Sequence, residues 1–345
     1  MPDVVPNPDV QPPARRLDRK LNNIAEGRYV PDDFIIADAK DADMSMGVTS
    51  GGPINPASSA KVGPGIYRTR ADYLDAMTAL IRQDIVDIML MSASNAERVA
   101  KDASLAANEN ITLAVRANDT SDIWNLRGGS YMSEPSKPFR TADLASVREF
   151  CDLVLYSMTF NNNLEHDAAT LAAYTQFRGE AAALGMRHFL EVFNPNISTG
   201  MTPPQTGAFV NDAIVRALAG VTSAQRPLFL KIAYNGADAM AELATFDPSL
   251  VVGILGGAAG TTRDTFELLG HAQANGAKVA LFGRKIQRSE SQLDLVLLMR
   301  SVLRGEMTPS EAVREYHNAL DRAGITPQRA LEQDLAITDP VLSAE

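Results

Sequence analysis

Eight short apolar segments recur along this chain, and between them lie polar loops and longer stretches with helical periodicity. They are FIIADA (34–39), VDIMLMSA (86–93), ITLAVRA (111–117), CDLVLYSM (151–158), RHFLEVF (187–193), PLFLKIAY (227–234), LVVGILGG (250–257) and KVALFGRKI (278–286). Strands that are apolar throughout are buried on both faces, which is typical of parallel sheets covered by helices. Eight such units close naturally into a barrel. The sequence therefore predicts a single (β/α)8 TIM barrel.

Helical segments between the strands fit the same pattern. The clearest are RADYLDAMTALIRQ (70–83), AATLAAYTQFRGEAAALG (168–185), GADAMAELATF (236–246) and TRDTFELLGHAQANG (262–276), and several end in the glycine that helix C-caps favour. An open, doubly wound sheet is the alternative. In such folds a GxGxxG turn often follows the first strand, and no such turn follows it here. We divide the chain into an N-terminal arm or tail (1–30), the barrel (31–305) and a C-terminal helical extension (306–345) with one extra helix.

Composition narrows the classes of function. The formal net charge of −10 and pI of about 5.0 argue against nucleic acid, whose phosphates require a basic face. The lone cysteine, Cys151, excludes an internal disulfide and a cysteine-based metal site. The four histidines lack metal-ligand spacing, so neither a metal nor a cofactor is expected.

The start MPDVVPNPDVQPPARR lacks the apolar stretch of a signal peptide, and no window approaches the roughly 20 apolar residues of a membrane span. We expect a cytoplasmic homo-oligomer that acts on a small molecule and binds no membrane.

Two charged residues interrupt consecutive apolar strands. Lys231 lies within PLFLKIAY, and a lysine is almost never buried without a partner or a function. Desolvation favours the neutral amine, which is the form that attacks a ketone or aldehyde. Glu191 lies within the preceding strand, HFLEVF, from which it could transfer protons during imine formation. A simple buried salt bridge between the two is the alternative interpretation.

Further candidates lie near the carboxyl ends of other strands, where barrel active sites are built. Asp38 could orient the lysine or bind a substrate hydroxyl, or it could be a helix N-cap or loop carboxylate. Tyr156 could donate a proton, although packing in the core is the favoured role. The long connections 44–69 and 118–142 also leave strand ends, where long loops are usually lids or substrate contacts.

Glycines follow the last two strands, at the position where barrels commonly hold a phosphate. ILGGAAG contains Gly256 and Gly257, and LFGRKI contains Gly283 and Arg284. Exposed backbone N–H groups and a planar guanidinium suit phosphoryl oxygens. The sequence therefore predicts a phosphate site, and with it a phosphorylated sugar or a related carbonyl compound as substrate.

These residues resemble the class I aldolase superfamily, in particular the branch of archaeal-type fructose-bisphosphate, tagatose-bisphosphate and deoxyribose-phosphate aldolases. The resemblance spans all eight strands and is strongest over about 187–290. It implies that Lys231 is the Schiff-base lysine and that the glycines and Arg284 bind phosphate. It also implies that Glu191 matches the glutamate of the tagatose-bisphosphate branch and Asp38 the aspartate closing strand one.

The chain departs from that pattern in several places. Phe193 lacks the hydroxyl of the aromatic proton donor on strand five of the archaeal-type enzymes. DAKDAD, after strand one, lacks their histidine and glycine pattern, and the first and third loops are longer. The superfamily also includes acyl-transferring and condensing enzymes. The resemblance therefore implies an imine-forming lysine more directly than it implies aldol cleavage.

Two other functions remain open. Asp38, Lys40 and Asp43 form a D-x-K-x-x-D pattern that resembles the orotidine-monophosphate decarboxylase suprafamily, in which Lys40 would protonate a carbanion. That family carries its motif on strand three, whereas this pattern lies on strand one. The second alternative is a non-catalytic barrel that serves as a binding protein.

Overall fold

The computed structural model describes residues 15–54, 63–106, 108, 110–257 and 260–343. The strands are β1 Ile35–Lys40, β2 Ile88–Met91, β3 Thr112–Arg116, β4 Asp119–Thr120, β5 Pro138–Phe139, β6 Leu153–Thr159, β7 Arg187–Phe193, β8 Leu230–Ile232, β9 Gly253–Leu255 and β10 Val279–Phe282. Eight of them form a closed parallel barrel in the order β1-β2-β3-β6-β7-β8-β9-β10, and β4 pairs antiparallel with β5 in a separate two-stranded sheet. The predicted (β/α)8 barrel is confirmed, with each of the eight apolar segments supplying one barrel strand.

Helices follow the barrel strands and cover the outside of the barrel. They are α1 Arg16–Ala25, α2 Ala42–Met46, α3 Arg70–Gln83, α4 Ala93–Lys101, α5 Ala103–Ala106, α6 Leu144–Arg148, α7 Leu164–Ala183, α8 Pro203–Leu218, α9 Ala237–Phe246, α10 Thr262–Ala274, α11 Arg284–Gln287, α12 Gln292–Leu303, α13 Pro309–Arg322, α14 Leu331–Asp334 and α15 Pro340–Ser343. Short 3-10 turns cover Pro31–Asp33, Gly47–Thr49, Ser121–Ile123, Tyr131–Ser133 and Ser223–Gln225. Each of the four helical segments predicted from periodicity overlaps one of these helices.

Strand residues alternate between two apolar clusters. Ile35, Ala37 and Ala39 of β1 belong to a cluster inside the barrel, together with inward residues of the other strands. Ile36 of β1 belongs to a larger cluster between the sheet and the helices. Since successive side chains of a strand point to opposite faces, this alternation decides which polar residues reach the barrel interior.

Helix α1 closes the amino-terminal end of the barrel. Leu17 is fully buried in the inner cluster. The Lys20 ammonium lies 2.9 Å from the Asp87 carboxylate, just before β2, and donates to the carbonyl oxygen of Phe34 at 3.0 Å. Within the segment predicted as an N-terminal arm or tail (1–30), residues 16–25 thus form a helix packed on the barrel, and residues 1–14 lie outside the described residues.

The C-terminal segment packs on the same body. Helix α13 contacts α10 and α12, and it buries Val313, Tyr316 and Leu320. Farther along the chain, the backbone N–H of Thr338 donates a hydrogen bond of 2.7 Å to the Asp264 carboxylate of α10. The predicted extra helix after the barrel is thus present.

Candidate active site

Three polar residues of neighbouring strands meet inside the barrel. Ser157 of β6 is in register with Glu191 of β7, and Glu191 is in register with Lys231 of β8. Each follows by two positions a residue of the inner cluster, namely Leu155, Phe189 or Phe229. The period of two therefore points all three into the barrel, toward its carboxyl-terminal end.

Lys231 and Glu191 form a close, buried pair. The Lys231 Nζ lies 2.6 Å from Glu191 Oε1, and the two residues are 5% and 1% exposed. Burial disfavours ionisation of Glu191, but attraction from Lys231 and Arg116 outweighs it and holds the pKa of this carboxyl below its ordinary value. The pair that the sequence predicted is thus assembled, with a charged carboxylate beside the amine.

The second oxygen of Glu191 is also fully engaged. Ser157 Oγ donates to Glu191 Oε2 at 2.6 Å, and Arg116 Nη2 donates to the same oxygen at 3.0 Å. Arg116, at the end of β3, also donates from Nη1 to Ser157 Oγ at 2.7 Å and from Nε to Asp41 Oδ2 at 2.5 Å. Lys231, Glu191, Ser157, Arg116 and Asp41 therefore form one buried polar network.

Arg116, Ser157 and Asp41 were not predicted from the sequence. The one signal available was that Arg116 interrupts the apolar segment 111–117, as Glu191 and Lys231 interrupt theirs. In the structure all three missed residues lie two positions beyond inward-facing residues of their strands. The sequence does not show which apolar residues face inward, so it carried no comparable signal for Ser157 and Asp41.

Asp38 does not reach this network, which corrects the expectation that it orients Lys231. It lies on the outer face of β1, in register with the outward residues Met89 and Phe282. Its partner there is Lys40, whose Nζ lies 3.1 Å from Asp38 Oδ2. Asp38 was expected to face the barrel interior at the end of strand one. Asp41 takes that position instead, because it lies three residues later and therefore on the opposite face of the chain.

The D-x-K-x-x-D pattern also points away from the barrel interior. Lys40 is fully buried and donates to Gln292 Oε1 of α12 at 2.8 Å. Asp43 accepts hydrogen bonds from Ser92 Oγ at 2.6 Å and from Asn95 Nδ2 at 3.1 Å, at the start of α4. These residues tie the sheet to its helices, so their geometry does not favour decarboxylase chemistry at Lys40.

Tyr156 is placed outside the barrel as well, which corrects its inclusion among the catalytic candidates. Its ring packs against Tyr174 and Phe177 of α7, with centroid separations of 5.2 and 4.4 Å. Burial raises the pKa of its hydroxyl well above the ordinary value. Tyr156 is therefore a packing residue between the sheet and α7.

A cavity of about 270 Å³ opens over the network and contains the predicted phosphate residues. Its lining includes Lys231, Glu191, Arg116, Asp41, Gly256, Gly257, Gly283 and Arg284. A Cβ at Gly283 would come within 2.6 Å of the Ala39 carbonyl oxygen, and one at Gly256 within 3.0 Å of the Phe282 ring. The two glycines let the backbone approach its neighbours closely at this corner of the cavity.

A second cavity, of about 770 Å³, adjoins the first. The two share the lining residues Ala39, Ala42, Met46, Gly283 and Arg284. The larger cavity is further lined by Arg68, Arg127, Arg288, Tyr67 and Ile325, among others. Space for a ligand therefore extends from Lys231 past Arg284 toward the loop after β1 and the C-terminal segment.

The loop between β3 and β6 forms one wall of the smaller cavity. Ile123, Asn125 and Met132 line it. Buried Asp122 fixes the loop by accepting hydrogen bonds from Ser136 Oγ at 2.6 Å and from Thr159 Oγ1 of β6 at 2.9 Å. This part of the predicted long loop thus lies at the site. Of the other long loop, 44–69, residues 55–62 lie outside the described residues, and Ser45 and Met46 line the cavity.

No group of three or more histidine, cysteine, aspartate or glutamate side chains suited to a metal ion occurs among the described residues. His188 is buried outside the barrel and is hydrogen-bonded to the Tyr174 hydroxyl at 2.9 Å. Burial lowers its pKa to about 4.

No helix in the described part of the chain is both long and apolar enough to cross a membrane.

No protein-family model matches the sequence, and neither does any curated protein. Several solved structures are similar to this chain in fold. An archaeal fructose 1,6-bisphosphate aldolase aligns with a TM-score of 0.58 and 15% identity over 83% of this chain and 99% of that chain. A Schiff-base-forming fructose-1,6-bisphosphate aldolase aligns with a TM-score of 0.59 and 14% identity, over 83% of this chain and 99% of that chain. The protein Cgl0159 of Corynebacterium glutamicum aligns with a TM-score of 0.57 and 17% identity, over 84% of this chain and 92% of that chain.

Likeness at these identities concerns the fold. It agrees with the resemblance of the strand residues to the archaeal-type branch. The chain therefore has the (β/α)8 barrel of the Schiff-base-forming fructose-bisphosphate aldolases that its sequence resembles.

Proposed function

We propose that this chain is a class I, metal-independent lyase that forms a Schiff base between Lys231 and a carbonyl substrate and catalyses reversible aldol cleavage. The observation that carries the proposal is the contact of 2.6 Å between Lys231 and Glu191 at the floor of a cavity. An imine-forming amine needs a group within hydrogen-bond reach that takes and returns protons, and Glu191 meets that requirement.

The first steps follow from this geometry. Glu191 takes a proton from the Lys231 ammonium, and the free electron pair of the nitrogen attacks the carbonyl carbon as the carbonyl π electrons move to oxygen. A second proton passes from nitrogen to that oxygen, which gives a carbinolamine. Glu191 then protonates the hydroxyl, which leaves as water while the nitrogen electron pair forms the iminium. The bond between the carbons α and β to the iminium then breaks: Glu191, again a carboxylate, takes the proton of the β-hydroxyl, that carbon leaves as an aldehyde, and the bonding electrons pass into the iminium to give an enamine. Protonation of the enamine carbon and hydrolysis of the resulting iminium by water release the second product and the Lys231 amine.

The part of the smaller cavity lined by Gly256, Gly257, Gly283 and Arg284 supports a phosphorylated substrate. Arg284 is exposed at the cavity, and no ion pair involves it among the described residues. A guanidinium with no carboxylate of the described residues within ion-pair distance, beside backbone that glycines leave accessible, suits a phosphoryl group. The adjoining cavity provides room for the remainder of a sugar chain beyond Arg284. We therefore propose a phosphorylated sugar or a related carbonyl compound as substrate.

Borohydride trapping tests this function. The protein is incubated with a panel of phosphorylated ketoses and their unphosphorylated analogues, reduced, digested and analysed by mass spectrometry. One substrate mass, less the oxygen lost as water, should be added at Lys231, and Lys231→Met should abolish both the adduct and turnover. Lys40→Met is the matched control, because Lys40 is also a buried strand lysine but points away from the cavity.

An adduct on Lys40 would favour the decarboxylase-like alternative and contradict the proposal. Saturable binding of phosphorylated sugars without any trapped adduct would favour the second alternative, a barrel that binds its ligand without chemistry. In that case the Lys231–Glu191 contact would be a structural salt bridge.

A further inference from the structure

Arg116 holds a central place in the buried network and shares the Glu191 carboxylate with Lys231. Its three guanidinium nitrogens are each engaged: Nε with Asp41, Nη1 with Ser157 and Nη2 with Glu191. Arg116 is only 5% exposed. Burial opposes its charge, but Asp41 and Glu191 more than compensate and raise the pKa of the guanidinium above its ordinary value. Arg116 is thus a permanent positive charge in a fixed orientation.

Arg116 and Lys231 compete for one carboxylate. Glu191 gives one oxygen to each cation, at 3.0 and 2.6 Å. With Asp41 included, the four groups carry two positive and two negative charges, so the set is neutral while Lys231 is protonated. Removing Arg116 would leave Lys231 with both carboxylates and a net charge of −1, which would strengthen their hold on the ammonium proton.

We propose that Arg116 is a positioning residue whose fixed charge sets the pH at which the Lys231 amine becomes reactive, by sharing Glu191 and occupying Asp41. A neighbouring cation promotes loss of a proton from an amine, and this is one way in which a catalytic lysine is activated. The role of Arg116 in turnover rests on the proposed function, whereas its effect on the amine does not.

Other charged groups face the same site and must be considered with Arg116. Asp119 lies 3.8 Å from Arg116, and its pKa is raised to about 6 chiefly by burial. Arg284 interacts with Glu191 from beyond β10. Asp122 lines the cavity, but its carboxylate is occupied by Ser136 and Thr159. Among the described residues, Arg116 is the cation held closest to Glu191 after Lys231 itself.

Competitive labelling measures the effect without any substrate. The intact protein is treated with trace amounts of an amine-acylating reagent between pH 6 and 11, and the labelling of Lys231 is followed by mass spectrometry. Arg116→Gln should move the midpoint upward by about one to two pH units, the range typical of one close charge. Arg116→Lys keeps the charge and should stay near wild type. Arg140→Gln, which removes an arginine paired with Glu180 away from the cavity, is the matched control.

A second substitution keeps the test decisive if Arg116→Gln does not fold. Asp41→Asn removes a negative charge from the same set, so the Lys231 midpoint should move downward. The pH profile of turnover should follow the labelling midpoint in each variant. Unchanged midpoints in the folded variants, or a shift in Arg140→Gln as large as that in Arg116→Gln, would overturn the inference.

The two proposals can fail separately. Wild-type protein that forms no trapped imine, but whose labelling midpoint rises in Arg116→Gln, would refute the lyase function and leave the role of Arg116 intact. A wild-type imine together with an unmoved midpoint would do the reverse.

Discussion

Replacing Glu191 by glutamine separates its chemical role from its structural one. The amide keeps the shape of the side chain, and it can still accept a hydrogen bond from Ser157 or Lys231. It cannot take up a proton, and it no longer neutralises either cation. In the wild-type protein Glu191 makes contacts of 2.6 Å with Lys231, 2.6 Å with Ser157 and 3.0 Å with Arg116.

The expected effect on turnover is large. Loss of a general acid–base group typically lowers the rate by about a hundred- to ten-thousandfold. Because the lysine, the glycines and Arg284 remain, substrate should still bind and some imine should still be trapped, slowly. Stopped-flow turnover and borohydride trapping on the same samples separate these two effects.

The stability cost follows from the charges left behind. Breaking a buried pair by removing one partner costs about 3–5 kcal/mol. Arg116 keeps Asp41 as a counter-ion, so Lys231 bears most of the loss. We therefore expect the free energy of unfolding at pH 7 to fall by about 3–5 kcal/mol.

The pH dependence of this cost has a defined sign. The folded pKa of Glu191 lies below its ordinary value of 4.5, so its stabilising contribution is present above that value and is lost as the pH falls through the folded pKa. The difference in stability between wild type and Glu191→Gln should therefore shrink in acid. Urea unfolding from neutral pH into acid measures it.

Two results would refute this account. Near-wild-type turnover in Glu191→Gln, together with the large loss of stability, would make Glu191 a structural counter-ion and assign proton transfer to Asp41 or another group. A stability difference that is constant with pH would mean that the charge of Lys231 is not balanced by Glu191.

Two further predictions concern residues at and away from the cavity. Arg284→Ala should raise KM for a phosphorylated substrate by roughly ten- to a hundredfold, as expected for loss of a charge-assisted pair worth about 1.5–3 kcal/mol; equal effects on the unphosphorylated analogue would place the phosphate elsewhere. Tyr156→Phe should leave kcat within about twofold, since its ring packs against α7 outside the barrel, and a large drop in kcat with unchanged stability would contradict that position.

The sequence by itself determined the barrel. Eight uniformly apolar segments separated by helices have few other ways to cover both faces of each strand, and their order fixes the neighbours. It also indicated the central pair, because Lys231 and Glu191 lie mid-strand on consecutive apolar segments, so neighbouring strands could bring the two charges together. The position of the glycines after the last two strands also indicated that they lie at the mouth of the barrel, where they line the cavity.

The tertiary structure decided which face each strand residue occupies and what it touches there. Asp38 and Asp41 are three positions apart at one strand end, yet the first faces the helices and the second faces Arg116. Side chains alternate between the two faces of a strand, so an odd separation in the sequence places two residues on opposite faces. Because these strands are apolar on both faces, the sequence does not show which face points inward. Arg116 and Ser157 lie far from Glu191 in the sequence, and only the pairing of β3, β6 and β7 as neighbouring strands brings them onto the same carboxylate.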